Sequence, residues 1–218
     1  MRILAVDTAL GACSVAVIEG ERTLAHRFVL MERGHAEALA PMVQETVRAA
    51  GMEFADVDRL AVTTGPGTFT GQRVGIAFMR GLRVALNKPL VGITTLDAMA
   101  AAALEESGGN SAAAIHDARR GEAYLGILSR DAILLPPTLV VLDDVPAQIS
   151  RFAMGDVALA GTAAETTAQT MGSRAQLTSI RQPDAFWVAH LAARSAEPAE
   201  PPQPLYLRAP DAKLPAAS

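Results

Sequence analysis

The chain has 218 residues, 50% of them hydrophobic, a formal net charge of −4 and one cysteine. This length and apolar content can build one sizeable core or two small ones, while the acidic balance argues against an unaided grip on nucleic acid, which rests on Lys and Arg neutralising phosphate. Cys13 alone excludes an internal disulfide and a cysteine zinc cluster and matches a reducing compartment.

The apolar run at 3–6 ends at Asp7, too short for a signal-peptide core or a membrane span, so a cytoplasmic protein is expected. Stretches 3–6 and 13–18 flank a turn containing Gly11, and 23–30 follows a second turn at 19–21, which predicts a three-stranded meander. The period then changes. Ala36, Leu39 or Ala40, Val43, Val47 and Ala50 recur at three and four residues, the pattern of a helix kinked by Pro41 and stopped by Gly51. A strand at 60–64, a glycine loop, a helix to about 87, a strand at 89–93 and an alanine-rich helix capped by Thr95 follow. Hairpins succeeded by alternating helix and strand predict an α/β fold with a mixed sheet flanked by helices.

The polar run 107–111 marks a boundary between a first lobe, 1–106, and a smaller second lobe, 107–218. Strands are expected at 112–115, 121–128, 132–135, 138–142 and 157–160, and a helix at 184–193 with Asp184 as its N-cap. The four prolines of 197–204 predict an extended tether before a terminal element of Leu205, Tyr206, Leu207 and Arg208. The second half echoes the first with fewer helices.

Gly65, Gly67 and Gly71 punctuate the loop between strand and helix. A P-loop needs Lys and Ser or Thr after its last glycine, where Gln72 and Arg73 stand; a dinucleotide fingerprint needs glycine at Thr70 and a later acidic residue. Two readings remain: a tight turn letting strand and helix approach, or an anion site at the helix N-terminus using Asp7, Gly67, Thr68 and Arg73. Asp7 itself either meets a metal-bound phosphate or caps its own turn. Asp117, Arg119 and Arg120 form a second polar cluster, either an anion clamp or a solvated turn. No metal site is expected, because a helical histidine pair needs His at i and i+4 and Leu39 follows His35. His190 lies one turn from Trp187 and reads as packing. Nothing pairs Cys13 or Ser14 with a base, so no catalytic residue is expected.

The helix after the loop is unusually apolar. Val74, Ala77, Phe78, Met79, Leu82, Val84, Ala85 and Leu86, with Gly75 and Gly81, cover roughly 220° of its circumference, about twice the stripe one buried face needs. Either a second layer of the same chain or another chain must cover the excess. Each helical glycine costs about 1 kcal/mol relative to Ala, which a closely approaching helix would explain. With the helix at 35–50 as companion, His35, Leu39, Val43, Val47, Val74, Phe78 and Leu82 are the candidate interface, half of an expected four-helix contact, the alternative being that both helices pack entirely within the domain.

Residues 3–9 with 13–16, Gly34-His35, the run 65–75, Gly92 to Leu96, Asp117 to Glu122 and Tyr206-Leu207-Arg208 resemble the TsaB (YeaZ) family. Thr68 stands where that family commonly has Ser, and Gln72 where it has Val. The resemblance implies two actin-like lobes of the sugar-kinase and Hsp70 superfamily (ASKHA, ribonuclease-H-like), the second reduced. It also implies a non-catalytic subunit for threonylcarbamoyladenosine synthesis in tRNA. Such a subunit pairs with a TsaD-type catalytic subunit through its first two helices, helps recruit a TsaE-type ATPase and meets tRNA only within the complex. ATP and metal are then expected on the partners, with none bound by this chain alone; a homodimer of the chain alone, formed through the same helices, is a third reading. The superfamily's ATP motif has a glycine after the strand-one Asp-x, where Ala9 stands here. The rival readings are a nucleotide phosphohydrolase and a glycopeptidase-like metalloenzyme.

Overall fold

The computed structural model, which describes residues 1–208, contains two five-stranded mixed sheets with helices packed on and between them. Positions 209–218, the end of the expected second lobe, lie outside the described residues. The first sheet contains β1 (Arg2–Asp7), β2 (Ala12–Glu19), β3 (Arg22–Leu30), β4 (Arg59–Thr63) and β5 (Leu90–Ile93), in the order β3-β2-β1-β4-β5. Short turns make β1, β2 and β3 antiparallel, whereas β4 and β5 run parallel to β1. Parallel neighbours need long crossovers, supplied by α1 (His35–Ala49) and α2 (Phe69–Leu86). Helix α3 (Thr95–Ser107) then leads to the second sheet. Its cap is Thr94, whose hydroxyl accepts the Asp97 amide at 3.0 Å, one residue before the Thr95 expected from sequence.

The second sheet repeats the plan with β6 (Ser111–Arg119), β7 (Glu122–Ser129), β8 (Ile133–Val141), β9 (Val157–Ala160) and β10 (Ala175–Leu177), ordered β10-β9-β6-β7-β8. Its crossovers are α4 (Val145–Phe152) and α5 (Ala164–Met171), followed by α6 (Ala185–Arg194). The second lobe is therefore reduced in helix length rather than in helix number: α4 and α5 have 8 residues each against 15 and 18 for α1 and α2. Both short helices escape the sequence reading because two turns are too few to establish a period; α4 buries only Val145 and Ile149. β8 was expected as two strands broken at Pro136 and Pro137, and it is one. It lies at the sheet edge, where a missing N–H costs no ladder bond.

Strand alternation divides each sheet into two apolar faces. Leu4, Val6, Val15 and Val62 face α1 and α2, while Ile3, Ala5, Ala16 and Ala61 face Ala185, Val188 and Ala189 of α6. In the second lobe Ile115, Leu125 and Leu159 face α4 and α5, and Ala112, Ala114 and Ala158 face Leu96, Met99 and Ala103 of α3. The last helix of each half thus crosses over: α3 follows the first sheet and packs on the second, and α6 follows the second sheet and packs on the first. The alanines on these faces allow the close approach.

Beyond α6 the chain runs without helix or strand back across the first lobe. Arg59 anchors its start by donating to the carbonyls of Ala192 at 2.7 Å and Ser195 at 2.8 Å. Arg80 of α2 then donates to the Pro202 carbonyl at 3.1 and 2.8 Å, and the Leu205 amide to Thr64 at 2.8 Å. Gly92 makes room for this strap: a Cβ there would lie 2.6 Å from Pro202 Cβ. The expected tether is tied down along its length.

Candidate functional site

The glycine loop is filled by the chain's own backbone. Ala9, in the turn after β1, presents its carbonyl to the Thr68 amide at 2.8 Å and the Thr68 hydroxyl at 3.3 Å, and the Thr8 hydroxyl donates to the Gly71 carbonyl at 2.7 Å. A Cβ on Gly67 would sit 2.4 Å from the Ala9 oxygen, and one on Gly71 2.2 Å from the Thr8 oxygen. The glycines therefore serve the close approach of turn and helix, with the Thr8 and Ala9 carbonyl oxygens where side chains at 71 and 67 would stand. Thr68 is the N-cap of α2, its hydroxyl accepting the Gly71 amide at 3.1 Å.

Asp7 lies completely buried beneath the turn. Its Oδ1 accepts from Thr63 Oγ1 at 2.6 Å and the Ala9 amide at 3.2 Å, so it caps its own turn, while Oδ2 has no partner. Burial pushes this carboxyl up to about 7, against the opposing effect of its two hydrogen bonds. Burial likewise raises the Cys13 thiol to about 11, away from thiolate chemistry. Arg73 is remote from Asp7 in role: its guanidinium lies 3.5 Å over the Phe69 ring and donates from Nε to Tyr206 Oη at 2.8 Å. Asp7, Gly67, Thr68 and Arg73 thus have separate intrachain tasks. Among the described residues no group of three or more His, Cys, Asp or Glu side chains could hold a metal, and no helix is long and apolar enough to cross a membrane.

The two helices divide differently from the expectation. Leu39, Val43 and Val47 are 1%, 0% and 2% exposed, packed against the first sheet, and His35 Nε2 donates to the Leu10 carbonyl at 3.1 Å. These four, assigned to a partner interface from sequence, support the helix pair from inside; their stripe is the one that faces β2 and β3. Val74, Phe78 and Leu82 are half-buried along the core's margin. The outward ridge of α2 is Phe69, Arg73, Ala77, Gly81 and Ala85, spaced by four, with Val84 beside it at 78% exposure. Gly75 and Gly81 differ in the same way: a Cβ at 75 meets Thr8 Oγ1 at 2.7 Å, but one at 81 meets nothing within 4 Å. Gly75 is explained within the chain and Gly81 is not.

The second-lobe cluster is a bulged hairpin turn. Arg119, Arg120 and Gly121 all have positive φ, at 64°, 58° and 73°, and the β6–β7 register shifts between Asp117 and Arg119. Asp117 Oδ1 accepts the Arg119 amide at 2.6 Å, and the Asp117 amide donates to Thr162 Oγ1 at 2.9 Å. The strap reaches this turn. Arg208 pairs with Glu122 and donates to the Ala118 carbonyl at 2.8 Å and the Arg119 carbonyl at 3.4 Å. Two residues earlier, Tyr206 stacks on Phe69 with centroids 5.7 Å apart. Phe69, Glu122, Tyr206 and Arg208 were not candidates from sequence, since only the fold brings positions this far apart together.

A family model described as "TsaD: tRNA N6-adenosine threonylcarbamoyltransferase" matches residues 29–153, more than half of the chain. The Escherichia coli K12 protein "tRNA threonylcarbamoyladenosine biosynthesis protein TsaB" is 42% identical over 131 residues, 60% of this chain and 56% of that protein, so the chain spans little more than half of this relative's length. The solved structure of YeaZ from Pseudomonas aeruginosa superposes with a TM-score of 0.78 at 34% identity, covering 94% of this chain and 99% of that one. A ROK hexokinase from Thermus thermophilus, with a TM-score of 0.54 at 15% identity over 88% of this chain and 100% of that one, shares the two-lobed actin-like fold alone. Within the wider family that the TsaD model describes, this chain belongs to the TsaB (YeaZ) family.

Proposed function

We propose that the chain is a non-catalytic docking subunit in threonylcarbamoyladenosine synthesis on tRNA, seating a TsaD-type catalytic subunit on the outer ridge of α2 and helping to recruit a TsaE-type ATPase. The observation that carries this reading is the exposed apolar ridge around Ala77, Gly81, Val84 and Ala85, with Gly81 facing open space. A helix glycine costing about 1 kcal/mol without an internal contact is accounted for by a second helix crossing there. The glycine loop closed by the Thr8 and Ala9 carbonyls supports assigning ATP, metal and chemistry to the partners. The pathway follows from the relatives' names. tRNA contact is assigned to the assembled complex and the compartment to the cytoplasm.

A stable heterodimer of this kind buries on the order of 1,600 Å² in total, with a few large anchors dominating. Calorimetric titration of the TsaD-type subunit tests it. Ala77→Glu with Val84→Glu changes two exposed positions, so the variant should keep the wild-type melting temperature while its affinity falls by about 100-fold or more. Wild-type affinity in that folded variant would remove α2 from the interface.

A further inference from the structure

We propose that the cleft between α3 and α6, on the side of the first sheet away from α1 and α2, binds an apolar α-amino acid, with its side chain against Trp187 and its charged ends at Arg130 and Glu105. This inference is independent of the docking reading above.

The crossing of the two helices makes the cleft. Each packs on the sheet of the other half, and between them lies a cavity of about 450 Å³, with Glu21 of the β2–β3 turn and Arg130 of the β7–β8 turn at its rim. Small-molecule sites enclose about 300–1,000 Å³ and join an apolar wall to a few polar groups. Leu104, Leu128, Trp187 and Leu191 supply the wall here. Trp187 is braced by Phe186, edge-on with ring centroids 5.1 Å apart, and is only half-buried, so it keeps a surface for a ligand to cover.

The charges around the cleft divide into an answered set and an unanswered pair. Glu21 lies 3.8 Å from Arg194 and 3.5 Å from His190 Nδ1. Glu105 has no hydrogen-bond or ion-pair partner among the described residues, and Arg130 reaches only the Leu104 carbonyl, at 3.5 Å. Leu104 precedes Glu105 on α3, so an unpaired anion and an unpaired cation stand at the same end of the cleft. A zwitterion answers both, its ammonium at Glu105 and its carboxylate at Arg130; a simple anion is repelled by Glu105 and a simple cation by Arg130. His190 adds a further demand. Burial lowers its pKa and keeps the ring neutral, and with the Nδ1 proton directed at Glu21 the buried Nε2 is an acceptor that lacks a donor. An ammonium group is a donor of the kind it lacks, and the apolar wall selects a branched or aromatic side chain over a polar one.

Trp187 is the chain's one tryptophan, so emission excited where tyrosine does not absorb reports on this cleft. L-Phenylalanine and L-leucine, transparent there, should change that emission saturably with one molecule per chain and raise the melting temperature, while L-serine should do neither. N-acetyl-L-phenylalanine lacks the ammonium and L-phenylalaninamide the carboxylate, and each should bind about tenfold or more weakly than L-phenylalanine. Glu105→Gln and Arg130→Gln change exposed side chains, so both should melt as wild type without ligand and weaken L-phenylalanine by about tenfold. No change in emission or melting with either apolar amino acid overturns the inference. Equal binding of the blocked derivatives, or unaltered binding in both folded variants, overturns it too, since the cleft would then take any apolar body. The measurements use this chain without a partner, so their failure leaves the docking reading standing, and failure of the docking test leaves this inference standing.

Discussion

Asp7 carries the chain's most consequential titration. The folded protein holds the carboxyl proton to about pH 7, whereas the unfolded chain releases it near 3.8. Between those values the native state binds more protons, so stability falls as pH rises through the window and levels off above it, by up to roughly 4 kcal/mol. Asp7→Asn keeps the Oδ1 acceptor for Thr63 and Ala9 and removes the ionisation. A melting-temperature series from pH 5 to 8 should decline for wild type and stay flat for the variant, which should be the more stable at pH 8. A wild-type series as flat as the variant's would show that Asp7 ionises normally. The glycines give a second contrast at this scale. Gly81→Ala should stabilise α2 by up to about 1 kcal/mol, raising the melting temperature by a few degrees, and still weaken partner binding. Gly75→Ala drives a methyl into Thr8 and should destabilise by about 1–3 kcal/mol. Opposite effects on stability from the same substitution six residues apart would separate interface glycine from packing glycine in a single thermal scan.

Among the elements, α2 carries the ridge proposed for docking, and it also marks where sequence reasoning stopped. Its excess apolar arc was legible, because helical period and residue type alone give it. Which part of the arc faces outward was not, since Ile76 and Met79 fill the core and Val84 does not only by virtue of how α2 lies on β1, β4 and β5. The stripe of α1 misled for the same reason: a single apolar face satisfies a sheet as well as a partner, and here the sheet takes Leu39, Val43 and Val47. The long elements were readable from alternation and period, down to Asp184 as the cap of α6, whose side chain accepts the Phe186 amide at 2.9 Å. The short crossovers α4 and α5 lay below the length at which a period can be seen. Pro136 and Pro137 signalled a break that an edge strand does not suffer.

For the whole molecule, the exchange of α3 and α6 and the strap make the two lobes interdependent. The strap runs from the end of α6, along α2, to the turn at Arg119, so the outward ridge of α2 and the second lobe share one segment of chain. Arg208→Ala removes the pair with Glu122 and two carbonyl contacts, and should cost about 1–3 kcal/mol while freeing the strap's end to protease. Protection equal to wild type in a timed digestion would show that Arg208 does not hold the strap. The central claim is that this chain acts by seating a catalytic partner and performs no chemistry itself. Reconstituted tRNA modification tests it most directly, with TsaD-type and TsaE-type subunits and either the wild-type chain or Ala77→Glu with Val84→Glu. The account predicts threonylcarbamoyladenosine formed with wild type and lost with the folded double variant, and unaffected at saturating protein by Asp7→Asn; full modification without the chain, or none with Asp7→Asn, would contradict it.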